Sequence, residues 1–186
     1  MKIAAAVALS LGFGMTAPTM AETSGGVITF NGVVSDATCT VQGGSGSDGA
    51  ANNFSVTLAS AKSSELDAAA KTAHRKAFDV LIGGPGQTTC IATAADMYFE
   101  PYSSNIDAAT GNLRNALGAN GAGNVQVQLL KADDSVIDLR LPQAGKQSST
   151  FTDNTARLTY KAQYVATAAA TPGQIQTNVV YTVVYN

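Results

Sequence analysis

Val179-Val180-Tyr181-Thr182-Val183-Val184-Tyr185-Asn186 closes the chain. Every residue before Asn186 is β-branched or aromatic, the side chains that fit a pleated, half-buried surface. Alternation puts Val179, Tyr181, Val183 and Tyr185 on one face, which must meet a core or a partner. Chain ends usually fray, so a final stretch this apolar is expected to be a working strand. Its edge has two fates. It pairs within its own sheet, or it serves as a template for another molecule.

Working back from that strand, the same short alternating pattern recurs. Residues 27–33, 53–58, 77–82, 96–100, 125–131, 136–141 and 158–166 all read as strands. Asp133-Asp134 makes a hairpin turn between two of them, and Gly83-Gly84-Pro85-Gly86 reads as another turn. Residues 43–53 (GGSGSDGAANN) read as a flexible surface loop, too polar and glycine-rich to pack. The exception to the strand pattern is 63–76, where Glu65, Ala68, Ala69, Ala70 and Lys71 favour a turn or two of helix in a crossover. A series of about seven or more short strands separated by turns predicts an all-β antiparallel sandwich in one domain. Neither an internal repeat nor a linker divides it.

The first twenty-one residues read as an address. Lys2 supplies a positive start, an apolar run follows to Met15, and Thr19-Met20-Ala21 offers small residues where a signal peptidase reads. The run is too short to span a bilayer. Residues 1–21 are therefore expected to be a signal peptide, and export gives the two cysteines their meaning. In an oxidising compartment, Cys39 and Cys90 are expected to form one structural disulfide. Closing a loop of about 50 residues stabilises by roughly 4 kcal/mol in the chain-entropy account.

Composition narrows the function classes. Of 186 residues, 13% are charged and the formal net charge is −2, with no basic run, so nucleic acid and anionic lipid have nothing to grip. The lone histidine, His74, lies in the polar stretch Thr72-Ala73-His74-Arg75-Lys76 and reads as a solvated side chain. Metal ligation lacks a ligand set, and the cysteines lack the CxxC spacing of redox motifs. No GxSxG elbow accompanies the many serines, and the glycine-rich turn lacks the Lys-Ser/Thr of a phosphate loop. The expectation is a protein without a catalytic site, a metal or a cofactor.

Both ends of the chain carry a resemblance. Ala166-Thr167-Ala168-Ala169-Ala170-Thr171-Pro172-Gly173, followed by the strand ending Tyr185-Asn186, resembles the C-terminal signature of type 1 and P-type fimbrial subunits. Gly25-Gly26-Val27-Ile28-Thr29-Phe30-Asn31-Gly32, then Asp36-Ala37-Thr38-Cys39, is similar to the opening of those pilins. Phe78-Asp79-Val80 before the second cysteine, and Asn124-Val125-Gln126-Val127-Gln128-Leu129, agree with their middle. The resemblance covers essentially all of residues 22–186.

The resemblance implies an incomplete immunoglobulin-like sandwich, lacking its last strand, over residues 33–186. A neighbour's N-terminal extension, residues 22–32, would complete it. In that scheme Gly26, Ile28, Phe30 and Gly32 face the neighbour's groove. Val179, Tyr181, Val183, Tyr185 and Asn186 form the groove and the strand that a periplasmic chaperone binds, and Cys39 and Cys90 are the family disulfide. The implied partners are neighbouring subunits in a homopolymer, the chaperone, an outer-membrane usher and a host receptor. The implied place is the cell-surface fimbria of a Gram-negative bacterium, where the subunit contributes to adhesion. The alternative is a minor or tip-proximal adaptor or adhesive subunit of the same fibre.

Overall fold

The computed structural model describes residues 39–186. The signal-peptide reading, the strand at 27–33 and the extension at 22–32 lie outside the described residues.

Eight strands are present among the described residues: β1 (Val41–Gly43), β2 (Thr72–Gly83), β3 (Ala94–Phe99), β4 (Leu113–Arg114), β5 (Val125–Lys131), β6 (Ala144–Thr150), β7 (Thr155–Ala166) and β8 (Tyr181–Tyr185). They form two antiparallel sheets. One has five strands in the order β1-β2-β7-β5-β4, and the other has three in the order β6-β3-β8. The fold is the all-β sandwich that the alternation indicates.

The core fills the space between the sheets because the period-2 pattern turns one set of each strand inward. Phe78, Val80 and Ile82 from β2 meet Leu158, Tyr160 and Ala162 from β7, and Ala95, Met97 and Phe99 come from β3. Tyr160 joins the two layers. Its ring packs 5.0 Å from that of Phe99 and 6.0 Å from that of Phe78. Its hydroxyl lies 3.1 Å from the Met97 carbonyl and 3.2 Å from the Gly145 carbonyl, so a buried polar tip is satisfied.

Several expectations need correction. Residues 63–76 hold one turn of helix, of the 3-10 and not the α kind, and the later part of the stretch is strand. The turn, Ser63–Leu66, is followed by Ala70 in the left-handed region and then by β2. From Thr72 onward the ladder from β2 to β7 takes the chain, leaving too few residues before it for the helix preference of Ala and Glu to build more than one turn. Residues 136–141 form no strand either. Val136 makes one bridge to Leu130, and the chain then turns at Asp138 and Arg140, which form an ion pair. The strand lies further on, as β6. Phe54, Val56 and Leu58 pack on the core with the alternation of a strand, but residues 53–58 form no ladder with other described residues.

Residues 43–53 are polar, as the composition says, yet they pack. Gly44 N–H donates to the Asp79 carbonyl at 2.8 Å, Asp79 N–H to the Ser45 carbonyl at 2.8 Å, and Asn52 N–H to the Val41 carbonyl at 2.8 Å. Glycine permits the close approach. A Cβ on Gly46, whose φ is +84°, would sit 2.1 Å from the Ala77 carbonyl.

Candidate functional site: an open sheet edge

Among the described residues, the last strand is bonded on one side. Asn186 N–H donates to the Ala94 carbonyl at 2.9 Å, Ala94 N–H returns the bond at 3.2 Å, and Glu100 N–H donates to the Val180 carbonyl at 2.9 Å. With Val184 opposite Asp96 and Thr182 opposite Tyr98, antiparallel alternation turns the main-chain groups of the even-numbered residues toward β3. The approach to β8 follows the same phase. Ala116 N–H donates to the Gln176 carbonyl at 2.7 Å, and Ala122 N–H to the Gln174 carbonyl at 2.8 Å.

The odd-numbered residues therefore point their main-chain groups the other way. Among the described residues, no backbone hydrogen bond reaches Ile175, Thr177, Val179, Tyr181, Val183 or Tyr185 from that side. Their side chains turn toward the core, and Val179, Tyr181, Val183 and Tyr185 pack against it. Val180 and Val184, on the opposite face, are exposed.

Facing this edge is the stretch 52–61, whose Phe54, Val56 and Leu58 also pack on the core. Side chains cross between the two walls. Tyr181 donates its hydroxyl to the Asn52 carbonyl at 2.6 Å, and its ring lies 5.9 Å from that of Phe54. Tyr185 donates to the Cys39 carbonyl at 3.2 Å. Burial pushes both phenols above their ordinary pKa, keeping them neutral donors. Yet no backbone bond joins 52–61 to 174–186 among the described residues. At one end the walls part into a cleft of about 540 Å³, lined by Lys62, Leu66, Tyr164, Ala170 and Ile175 among others. Main-chain donors and acceptors thus stand in a row beside an apolar floor, an arrangement suited to an extended backbone.

Cys39 and Cys90 are joined in a disulfide, which fixes the start of the described chain beside the end of β2. Val179, Tyr181, Val183 and Tyr185 share the edge that turns away from β3. Asn186 does not share that phase, because its N–H and carbonyl are already bonded to Ala94. Gly26, Ile28, Phe30 and Gly32 lie outside the described residues. His74 sits on a bulge of β2, its Nε2 3.4 Å from Glu65, away from this edge. Sequence reasoning missed Ile175 and Thr177. The signal was available, since Ile175, Thr177 and Val179 continue the same alternation upstream.

Comparison with known proteins agrees with this architecture. The FimA family model, Type-1 fimbrial protein, A, matches residues 56–186. The chain is 39% identical over 176 residues to the major fimbrial subunit SMF-1 of Stenotrophomonas maltophilia (strain K279a), covering 91% of this chain and 98% of that protein. It is 39% identical over 166 residues to the F17 fimbrial protein of Escherichia coli, covering 86% and 87% of the two chains. Its fold is similar to that of a chain from a solved chaperone–usher pilus studied for rod uncoiling. That similarity has a TM-score of 0.53 at 21% identity, over 91% of this chain and 100% of that one. The chain belongs to the type-1 fimbrial protein family, the structural subunits of cell-surface fimbriae.

Proposed function

We propose that this subunit polymerises by accepting, along the edge of residues 175–185, the N-terminal extension (residues 22–32) of the next copy. The observation that carries the reading is the row of main-chain groups on Val179, Tyr181, Val183 and Tyr185 that meet no backbone partner among the described residues, above an apolar floor. An unpaired strand edge invites strand addition, and a second strand satisfies those groups while covering the floor. Ile28 and Phe30 supply the apolar side chains, and Gly26 and Gly32 share their face. Residues 1–21 direct export, and residues 33–186 form the pilin domain. Before assembly a periplasmic chaperone covers the same edge, and an outer-membrane usher exchanges it for the extension. In the finished fibre the subunit contributes to adhesion through a host receptor. The resemblance to a major subunit over 98% of that protein's length supports a main structural role over a minor or tip-proximal one.

Deletion of residues 22–32 tests this reading. The expected product exports, folds and binds the chaperone but forms no fibres by electron microscopy. Normal fibres from the deletion would overturn it.

A further inference from the structure

Thr177 stands in the inward row of the groove between Ile175 and Val179. Its hydroxyl oxygen is enclosed. Among the described residues it is the one buried side-chain nitrogen or oxygen without a hydrogen-bond partner. Its neighbours on the bonded side are satisfied: Gln176 N–H donates to Asn115 Oδ1 at 3.1 Å, Asn178 Oδ1 accepts from Asn105 Nδ2 at 2.9 Å, and Val180 N–H donates to Ser103 Oγ at 2.9 Å. Thr177 Oγ1 is thus the buried side-chain polar atom of this stretch that lacks a partner among the described residues. Valine has the same shape without the hydroxyl, so packing alone does not call for threonine here.

A strand laid along this edge places the side chain opposite Thr177 within about 4.5–5.5 Å, Cβ to Cβ, where threonine hydroxyls bond across strands. A wholly apolar occupant would leave the enclosed hydroxyl unpaired, which is unfavourable.

We propose that Thr177 is a specificity-determining position of the groove: the inserted strand presents to it a hydrogen-bonding group, either a short polar side chain or the main-chain carbonyl that a glycine leaves uncovered. This rests on the strand-acceptor reading and names the chemistry the acceptor selects. The extension of a second copy carries such groups, because Ser24, Gly26 and Gly32 share the face of Ile28 and Phe30.

The test titrates the purified chain with a labelled synthetic peptide of residues 22–32 and reads affinity by fluorescence anisotropy. Thr177→Val is expected to weaken binding roughly fivefold to tenfold, and to raise the urea midpoint of the unfilled subunit. Thr177→Ser, which keeps the hydroxyl, is expected to bind within about twofold of wild type. Equal or tighter binding by Thr177→Val would overturn the proposal and leave the groove reading standing. Absence of peptide binding by the wild-type chain would overturn both.

Discussion

Tyr181 and Asn52, 129 positions apart in the chain, are joined by a 2.6 Å hydrogen bond from the phenol to the main-chain carbonyl. The bond ties the last strand to the opposite wall of the groove without a β-ladder between them. Tyr181→Phe keeps the ring on Phe54 and removes the tie, which should cost about 1 kcal/mol. A lowered urea midpoint with an unchanged m-value is the expected result. No change would mean that Asn52 finds another donor at no cost.

The disulfide holds the other side of the same region. Cys39 and Cys90 are separated by 51 positions, and closing a loop of that length contributes about 4 kcal/mol through the unfolded state. A domain of marginal stability cannot spare that. Cys39→Ser is therefore expected to be degraded before assembly, read as periplasmic subunit level and fibre yield. Normal yield would contradict the claim.

Alkaline pH should destabilise the sandwich through its tyrosines. Burial raises Tyr160 well above the ordinary value of 10.0, and Tyr164, Tyr181 and Tyr185 shift in the same direction. A folded pKa above the unfolded one leaves stability complete below pH 10 and removes it as pH rises toward the folded values. Urea titrations between pH 8 and 11.5 should show a decline above about pH 10, with Tyr160 contributing about 1.4 kcal/mol per pH unit. Tyr160→Phe should flatten that decline. An unchanged slope would assign it elsewhere.

What the sequence made legible follows from where apolar side chains alternate. Residues 125–131 were readable to the residue because Val125, Val127 and Leu129 alternate on the face that joins the core, although Gln126 and Leu130 on the other face are buried as well. β6 was not, because Ala144-Gly145-Lys146-Gln147-Ser148-Ser149-Thr150 is an edge strand whose hydrogen bonds to β3, not hydrophobicity, define it. At 63–76 the long-range ladder that begins at Thr72 left local helix preference only one turn. The groove was half legible. Val179, Tyr181, Val183 and Tyr185 declared their face, but the absence of a ladder between 54–58 and the last strand and the unpaired Thr177 hydroxyl, both among the described residues, arise only from tertiary placement.

The end of β8 offers a separate test of capture. Removing residues 184–186 deletes the Asn186–Ala94 bonds and the Tyr185–Cys39 contact, so the edge loses its anchor. The truncated subunit is expected to lose its chaperone complex in a pull-down, since main-chain pairing supplies the affinity. An undiminished complex would remove this role from Tyr185.

The central claim is that one copy's extension fills the next copy's groove. If so, Phe30 is buried in a neighbour and not in its own subunit, a burial worth roughly 1.5–3 kcal/mol, and a carboxylate there costs several kcal/mol. An unboiled denaturing gel of Phe30→Asp, run beside a chaperone pull-down, separates polymerisation from folding. The account predicts an intact chaperone complex and no ladder of polymers, with Thr29→Ser on the opposite face giving a ladder close to wild type. A full ladder from Phe30→Asp would contradict it.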